Sequence, residues 1–169
     1  MNVKTCTFIS SDLNSFSFGY DFANPKCIAL KLQIAQYIND MCKSGIKEFY
    51  SVCEQGVDLW AAEIVTYIMR ADEEAKLYCI IPYEEQAAKW REDSRELYYR
   101  VLEEATEVTF LNTHYKEDCL AAARYYTLDR CGYVFAAAAN ETENEFVRYA
   151  RMLGRNVSCF RACSYTNPF

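Results

Sequence analysis

The stretch from Phe49 to Glu63, FYSVCEQGVDLWAAE, limits what this chain can become more than any other. An apolar run of Phe49, Tyr50, Val52 and Cys53 meets Gly56, after which Val57, Leu59, Trp60, Ala61, Ile64 and Val65 return at helical spacing. The period changes from that of a strand to that of a helix across one tight turn, which makes one β-α unit. In an open parallel sheet, ligands settle at the turn after a strand's carboxyl end, because the next helix presents unpaired N–H groups and the positive end of its dipole. A small-molecule site is therefore expected to include Cys53 to Asp58.

The same alternation runs through the rest of the chain. Val3 to Ile9 reads as a strand, followed by the polar turn Ser10, Ser11 and Asp12. Phe16, Phe18, Tyr20 and Phe22 stand among turn formers between Leu13 and Asn24, which predicts an ordered loop with an aromatic plug. A helix is expected from Pro25 to Cys42, its stripe drawn through Ile28, Leu32, Ala35, Ile38 and Cys42 and flanked by Leu30, Ile34 and Met41, with Gly45 just past its end. Lys76 to Ile81 is a buried strand closed by Pro82. Two helical pieces follow, Tyr83 to Trp90 and Ser94 to Ala105, the second capped by Ser94. Beyond them come a strand from Glu107 to Leu111, a loop through His114, a helix from about Glu117 to Arg130 and a strand from Tyr133 to Ala139. Thr142 to Gly154 is the last helix, Asn156 to Phe160 the last strand, and a short tail ends the chain. Strands alternating with helices predict a single Rossmann-like α/β domain, with a mostly parallel sheet covered by helices on both faces and a core over about residues 3–160.

Composition narrows the function. A chain of 169 residues suits one domain rather than two. With 18 Lys+Arg against 24 Asp+Glu, the net charge of -6 repels phosphate backbones and anionic lipid, so neither nucleic acid nor membrane is an expected partner. The amino terminus has no basic segment backed by a continuous apolar core, and no apolar run reaches membrane-spanning length, so no signal peptide or membrane span is expected. Nine cysteines are spread from Cys6 to Cys163 without paired spacing, and most read as reduced core residues. No C-x-x-C occurs and His114 is the one histidine, so neither a metal site nor a cofactor is expected. The expected compartment is the cytoplasm, where the sequons at Asn140 and Asn156 carry no meaning.

GVDLWAAE at Gly56 to Glu63, IPYEEQAAKW at Ile81 to Trp90, FGYD at Phe18 to Asp21, and the spacing of Cys119, Tyr126 and Asp129 together resemble the YpsA-like branch of the SLOG superfamily. The likeness runs in order from Cys6 to about Phe160. It implies a Rossmann-like fold that binds nucleotides or ligands resembling ADP-ribose, in a bacterial or phage-type protein. Some relatives are phosphoribohydrolases that cleave the N-glycosidic bond of nucleoside monophosphates, others sense nucleotide-derived signals, and pairing through helices implies a homodimer.

The departures from the family pattern are as informative as the matches. Where the family has F-T-G-H-R-P, this chain has Phe8-Ile9-Ser10-Ser11-Asp12-Leu13; in the S-G-M-A-x-G-V-D turn the first glycine is Val52. An arginine–asparagine pair reads Ala123-Arg124, one position late, and the phosphate-cradling G-G-T reads Asn140-Glu141-Thr142 or Glu141-Thr142-Glu143. Each lost glycine removes a place where backbone can approach a phosphate, and the acidic replacements at Asp12, Glu54 and Glu141 or Glu143 add repulsion. The scaffold motifs persist while the phosphate motifs do not.

The expected ligand-binding set is Ser10, Ser11, Cys53, Gln55, Gly56, Asp58, Tyr83, Trp90, Arg124 and Thr142. Asp58 reads either as a functional carboxylate or as a dipole partner at the helix amino end; Glu63 reads as a surface group. Thr142 and Glu145 match a T-x-x-E fragment of the phosphoribohydrolase motif, but they equally form a capping box, the reading favoured once the glycines are gone. Trp60 reads as core, while Trp90 and Tyr83 are candidates to stack on a base or cover the pocket. Arg124 is the candidate anion group, against the plain and favoured alternative of a solvated helix arginine. Cys53 is either a reactive thiol at a helix amino end or, the favoured reading, a buried structural one. His114 reads as a loop residue. Three functions compete: a non-catalytic, regulatory or sensing module for a nucleotide-derived ligand; an N-glycosidase with Glu145 or Asp58 as acid/base group; and a protein-interaction module with a relic site, anchored by exposed aromatics between Phe16 and Phe22.

Overall fold

A computed structural model of the chain describes residues 2–138 and 144–161. Its strands are β1 (Asn2–Ser10), β2 (Glu48–Ser51), β3 (Lys76–Ile81), β4 (Glu107–Phe110), β5 (Cys131–Ala138) and β6 (Asn156–Arg161). Its helices are α1 (Pro25–Lys43), α2 (Val57–Ala71), α3 (Glu92–Glu104), α4 (Cys119–Arg130) and α5 (Glu145–Met152), with a 3-10 turn at Leu13–Ser15. The strands form one sheet of order β4-β3-β2-β1-β5-β6, and every pairing is parallel.

Strand order reverses beside β1. The chain walks outward from β1 through β2 and β3 to β4, then crosses back to β5 on the other side and on to β6. Because βαβ crossovers are right-handed, α1 to α3 cover one face and α4 and α5 the other. Contacts of α1 with α2, α2 with α3, and α4 with α5 agree with this arrangement. β1 is buried on both faces, as a central parallel strand must be, and alternates accordingly. Cys6 and Phe8 join the large core under α1 to α3, where Phe8 lies 6.4 Å from Phe49 and 6.2 Å from Phe135 between ring centroids, while Ile9 joins the smaller cluster under α4 and α5. The buried hydroxyls of Thr5 and Thr7 donate to the carbonyls of Arg130 and Tyr50. The expected single α/β Rossmann-like architecture is the one observed, and no described helix is long and apolar enough to cross a membrane.

Four local expectations are corrected. The buried stripe of α1 runs through Cys27, Leu30, Ile34, Tyr37 and Ile38 and leaves Ile28 and Leu32 exposed, so the face turned to the core centres on the flanking Leu30 and Ile34 and not on Ile28 and Leu32. Tyr83 to Trp90 is a string of turns, not a helix: Gln86, Ala88 and Trp90 donate three residues back, to Tyr83, Glu85 and Ala87. Tertiary anchors hold it so, since the Glu84 N–H donates to the Asn112 carbonyl and the Gln86 side chain to the Val52 carbonyl, and such contacts override helix propensity. Ser94 does not cap α3; it lies inside the first turn, buried, and accepts from Gln55 Nε2 at 2.9 Å. Finally, α5 is capped by Asn144, whose side chain accepts from the Phe146 N–H, so Glu145 is the first helical residue and not the third. Thr142 lies outside the described residues.

The aromatic loop is packed inward. Phe16 and Phe18 are buried and stacked at 5.2 Å, and Phe22 meets Trp60 edge-on at 5.3 Å. Of the proposed interaction anchors only Tyr20 is exposed.

Candidate functional site

The reversal of strand order opens a crevice at the carboxyl ends of β1 and β5, the place where open α/β sheets bind ligands. A cavity of about 280 Å³ lies there. Four segments far apart in sequence build it: the turn after β1 with Ser10, Ser11, Asp12 and Leu13; the turn after β2 with Glu54 and Gln55, continuing to Asp58; α4 with Leu120 and Arg124; and the start of α5 with Asn144 and Phe146. Tyr20 of the aromatic loop closes the rim.

The turn after β1 is held to the neighbouring strand because the Ser11 N–H donates to the Ala137 carbonyl at 3.0 Å. Asp12 then caps the 3-10 turn, accepting from the Asn14 N–H at 2.8 Å, and this buries Leu13. Leu13 sits on Gly56, whose φ of 106° and ψ of -132° suit only glycine and where an added Cβ would stand 2.8 Å from Leu13 Cδ2. The two β-α turns are thus interlocked, and the one glycine left at the start of α2 is covered by a side chain.

Asp58 and Arg124 are the centre of the site. Arg124 Nη1 and Nη2 donate to Asp58 Oδ1 and Oδ2 at 3.0 and 2.9 Å, and Nη1 also reaches the Phe8 carbonyl at 3.5 Å. The pair joins α2, on one face of the sheet, to α4 on the other, and its side chains are 1% and 6% exposed. Burial works against the charge of Arg124, but the charge and hydrogen bonds of Asp58 more than offset it and raise the guanidinium's pKa. The expectation of a solvated helix arginine is therefore corrected: α4 lays its arginine against the sheet edge, where the buried Asp58 carboxylate balances its charge. The dipole reading of Asp58 is likewise incomplete, since its two oxygens are engaged by the guanidinium.

Glu54 is the second perturbed group. Burial pushes its carboxyl above the ordinary value of 4.5, although Gln86 Nε2 donates to it at 3.2 Å. Gln55 is tied back to Ser94 of α3, and the Phe146 ring stands 5.8 Å from the Arg124 guanidinium.

Of the residues expected to bind ligand, Ser10, Ser11, Gln55, Asp58 and Arg124 meet in this cavity. Cys53 does not: it is wholly buried at φ 53°, its N–H donates to Ser51 Oγ, and contact with Cys79 together with burial holds the thiol well above its ordinary pKa, which favours the structural reading over the reactive one. Gly56 lies under Leu13. Tyr83 packs edge-on against Tyr115 at 5.4 Å, and Trp90 against Tyr98 at 5.3 Å; the turns that replace the expected helix carry both rings away from the cavity. Glu145 is exposed at the first residue of α5 and does not line the cavity, although its neighbours do. Glu63 is on the outer surface and pairs with Arg100 at 2.7 Å, while Trp60 is core. Asp12, Leu13, Tyr20, Glu54, Leu120, Asn144 and Phe146 complete the wall and were not among the expected ligand contacts.

The family model named YpsA, described as the YspA SLOG family, matches residues 10–154. The chain belongs to this family. Its similarity to curated relatives is partial: it is 33% identical over 76 residues to a UPF0398 protein of Halalkalibacterium halodurans, covering 45% of this chain and 40% of the relative. It is 33% identical over 93 residues to a UPF0398 protein of Bacillus thuringiensis strain Al Hakam, covering 54% of this chain and 48% of the relative, and shows the same figures with one of Bacillus cereus strain Q1. The matched region thus spans about half the length of these relatives or less. Among the described residues, the wall of the crevice carries Asp12, Glu54 and Asp58 with the guanidinium of Arg124.

Proposed function

We propose that this SLOG domain binds a small nucleotide-derived ligand in the crevice between β1 and β5 and acts as a non-catalytic regulatory or sensing module. The observation that carries the reading is the open cavity at the strand-order reversal, with polar groups from four segments and two aromatic rings around it. Its volume of about 280 Å³ suits a ligand of nucleoside size, near the lower end of the roughly 300–1,000 Å³ usual for ligand clefts. The non-catalytic part rests on the state of the carboxylates. Asp58 has both oxygens committed to Arg124, and Glu145 faces solvent, so neither is poised as an acid or base in the cavity.

The alternative of N-glycosidic hydrolysis would fall to Glu54, the carboxyl in the wall whose pKa burial raises. A thermal-shift panel of nucleosides, nucleoside phosphates, ADP-ribose, NAD and cyclic nucleotides tests the binding reading, because a ligand that binds only the folded state must raise the melting temperature. At a hundredfold excess over Kd the gain is about 2.7 kcal/mol, or roughly 5–11 °C for a chain of this size. The shift should vanish in Phe146→Ala. A panel silent throughout removes this reading and favours a protein-interaction module; release of free base from a bound compound, abolished by Glu54→Gln, would make the domain an enzyme.

A further inference from the structure

Resting on the ligand-binding reading above, we infer that the crevice receives an uncharged nucleoside and turns phosphate away. Three independent features point there. The first is charge: beyond the Asp58–Arg124 pair, Asp12 and Glu54 line the cavity with no opposite charge among its described lining residues. A phosphate entering there meets repulsion from more than one carboxylate in surroundings less polar than water.

The second is that Arg124 is already engaged. Its two terminal nitrogens hold Asp58 bidentately and reach the Phe8 carbonyl. An anion competing for that fork would strand Asp58, 1% exposed, without its partner. In a phosphate site a planar guanidinium grips the ligand's oxygens; here Asp58 occupies that geometry.

The third is the closed glycine. Backbone binds phosphate where a glycine lets it approach and the helix behind it points N–H groups outward. Gly56 holds that place before α2, but Leu13 covers it. The same wall fits a sugar and a base. Carboxylates accept from the hydroxyls of a ribose, as an acidic residue does in dinucleotide folds, and Asp12 and Glu54 each lie on the wall to do so. Phe146 and the half-exposed Tyr20 line the cavity with the aromatic surface on which a base can pack.

Calorimetric titration of the full chain with adenosine, guanosine, cytidine and uridine, each beside its 5′-monophosphate, and with inorganic phosphate and ADP-ribose, decides the matter. The expected result is that at least one nucleoside binds tenfold or more tighter than its own monophosphate, and that inorganic phosphate does not bind. Asp12→Asn combined with Glu54→Gln should then narrow the gap by strengthening the monophosphate. Both replacements preserve the fold's contacts, since asparagine also caps a helical turn and glutamine still accepts from Gln86. A monophosphate that binds as well as or better than its nucleoside overturns the inference. Binding of ADP-ribose or phosphate without any nucleoside overturns it too, but leaves the ligand-binding reading intact; silence toward every compound removes both.

Discussion

At its first turn α2 contributes Asp58 to Arg124 of α4, and at its last turn it contributes Arg70 to Glu104 of α3. The two contacts are alike in geometry. Arg124 meets Asp58 at 3.0 and 2.9 Å, and Arg70 meets Glu104 through Nε and Nη2 at 3.1 and 2.6 Å. They differ in surroundings: side-chain exposure is 6% and 1% in the first pair, 55% and 28% in the second. In water a broken pair is replaced by hydration, whereas in the crevice the abandoned charge is too buried for water to replace its partner in full. Burial, not bond length, therefore decides which contact the fold depends on. The buried pair also shapes the site, because a guanidinium held by its own carboxylate is withdrawn from ligands.

The largest effect is expected at the buried end. Arg124→Met should lower stability by about 3–5 kcal/mol by leaving Asp58 uncompensated, a fall of roughly 6–20 °C in melting temperature for a chain of this size. Asp58→Leu with Arg124→Met should recover most of that loss, since apolar residues of similar size replace a buried pair at little cost or with gain. Urea unfolding of the wild type, the single variant and the double variant measures both. A double variant as unstable as the single would mean that the pair is strongly stabilising in itself, and the contrast with the exposed pair would then lie in strength rather than in the cost of separation.

Why the buried pair escaped the reading of the sequence is a matter of range. Strand β3 was legible to its end residues, Lys76 and Ile81, because an apolar run followed by Pro82 is a local signal. The turn at Gly56 was equally local. Asp58 and Arg124 are 66 residues apart, and nothing near either one announces the other. A weaker signal did exist. Arg124 stands between Leu120 and Leu128 at helical spacing, and Asp58 stands among Val57, Leu59 and Trp60, so each is a lone charge within an apolar stripe. Two such charges of opposite sign in one chain are candidates for each other. The lining contributed by Tyr20, Leu120 and Phe146 had no such signal, since rings and aliphatic groups in apolar patterns read first as core. Tyr83 and Trp90 were lost with the helix expected to carry them, which long-range hydrogen bonds from Glu84 and Gln86 had undone.

Glu54 offers an intermediate test, because it shares the crevice but among the described residues has only Gln86 as a hydrogen-bond donor from a side chain. Its carboxyl titrates above its ordinary value of 4.5, chiefly through burial. A raised pKa in the folded state means that the stability contributed by the protonated form is fully present below the unfolded value and is lost as pH rises through the folded one. Glu54→Gln should therefore match the wild type more closely at pH 4 than at pH 7, where it should be the more stable protein, by less than Arg124→Met loses. Melting temperatures of both proteins across that range check the sign. A variant less stable than wild type at pH 7 would show that the ionised carboxylate is held by more than Gln86.

The smallest effect belongs to the outer end of α2. Arg70→Ala removes both hydrogen bonds to Glu104, yet the carboxylate it leaves remains in reach of water, and exposed pairs contribute roughly 0–1 kcal/mol. The guanidinium also lies 4.9 Å from the centroid of the Tyr67 ring on the same helix, so part of any loss is packing and not charge. Salt separates the two: at 1 M the Debye length falls to about 3 Å, and the ionic part fades while the packing part stays. The difference in unfolding free energy between wild type and Arg70→Ala should therefore be under about 1 kcal/mol at low salt and smaller still at 1 M. A loss approaching that of Arg124→Met would mean that the joint between α2 and α3 depends on its arginine as the crevice does, and the division of α2 into a dependent and an independent end would fail.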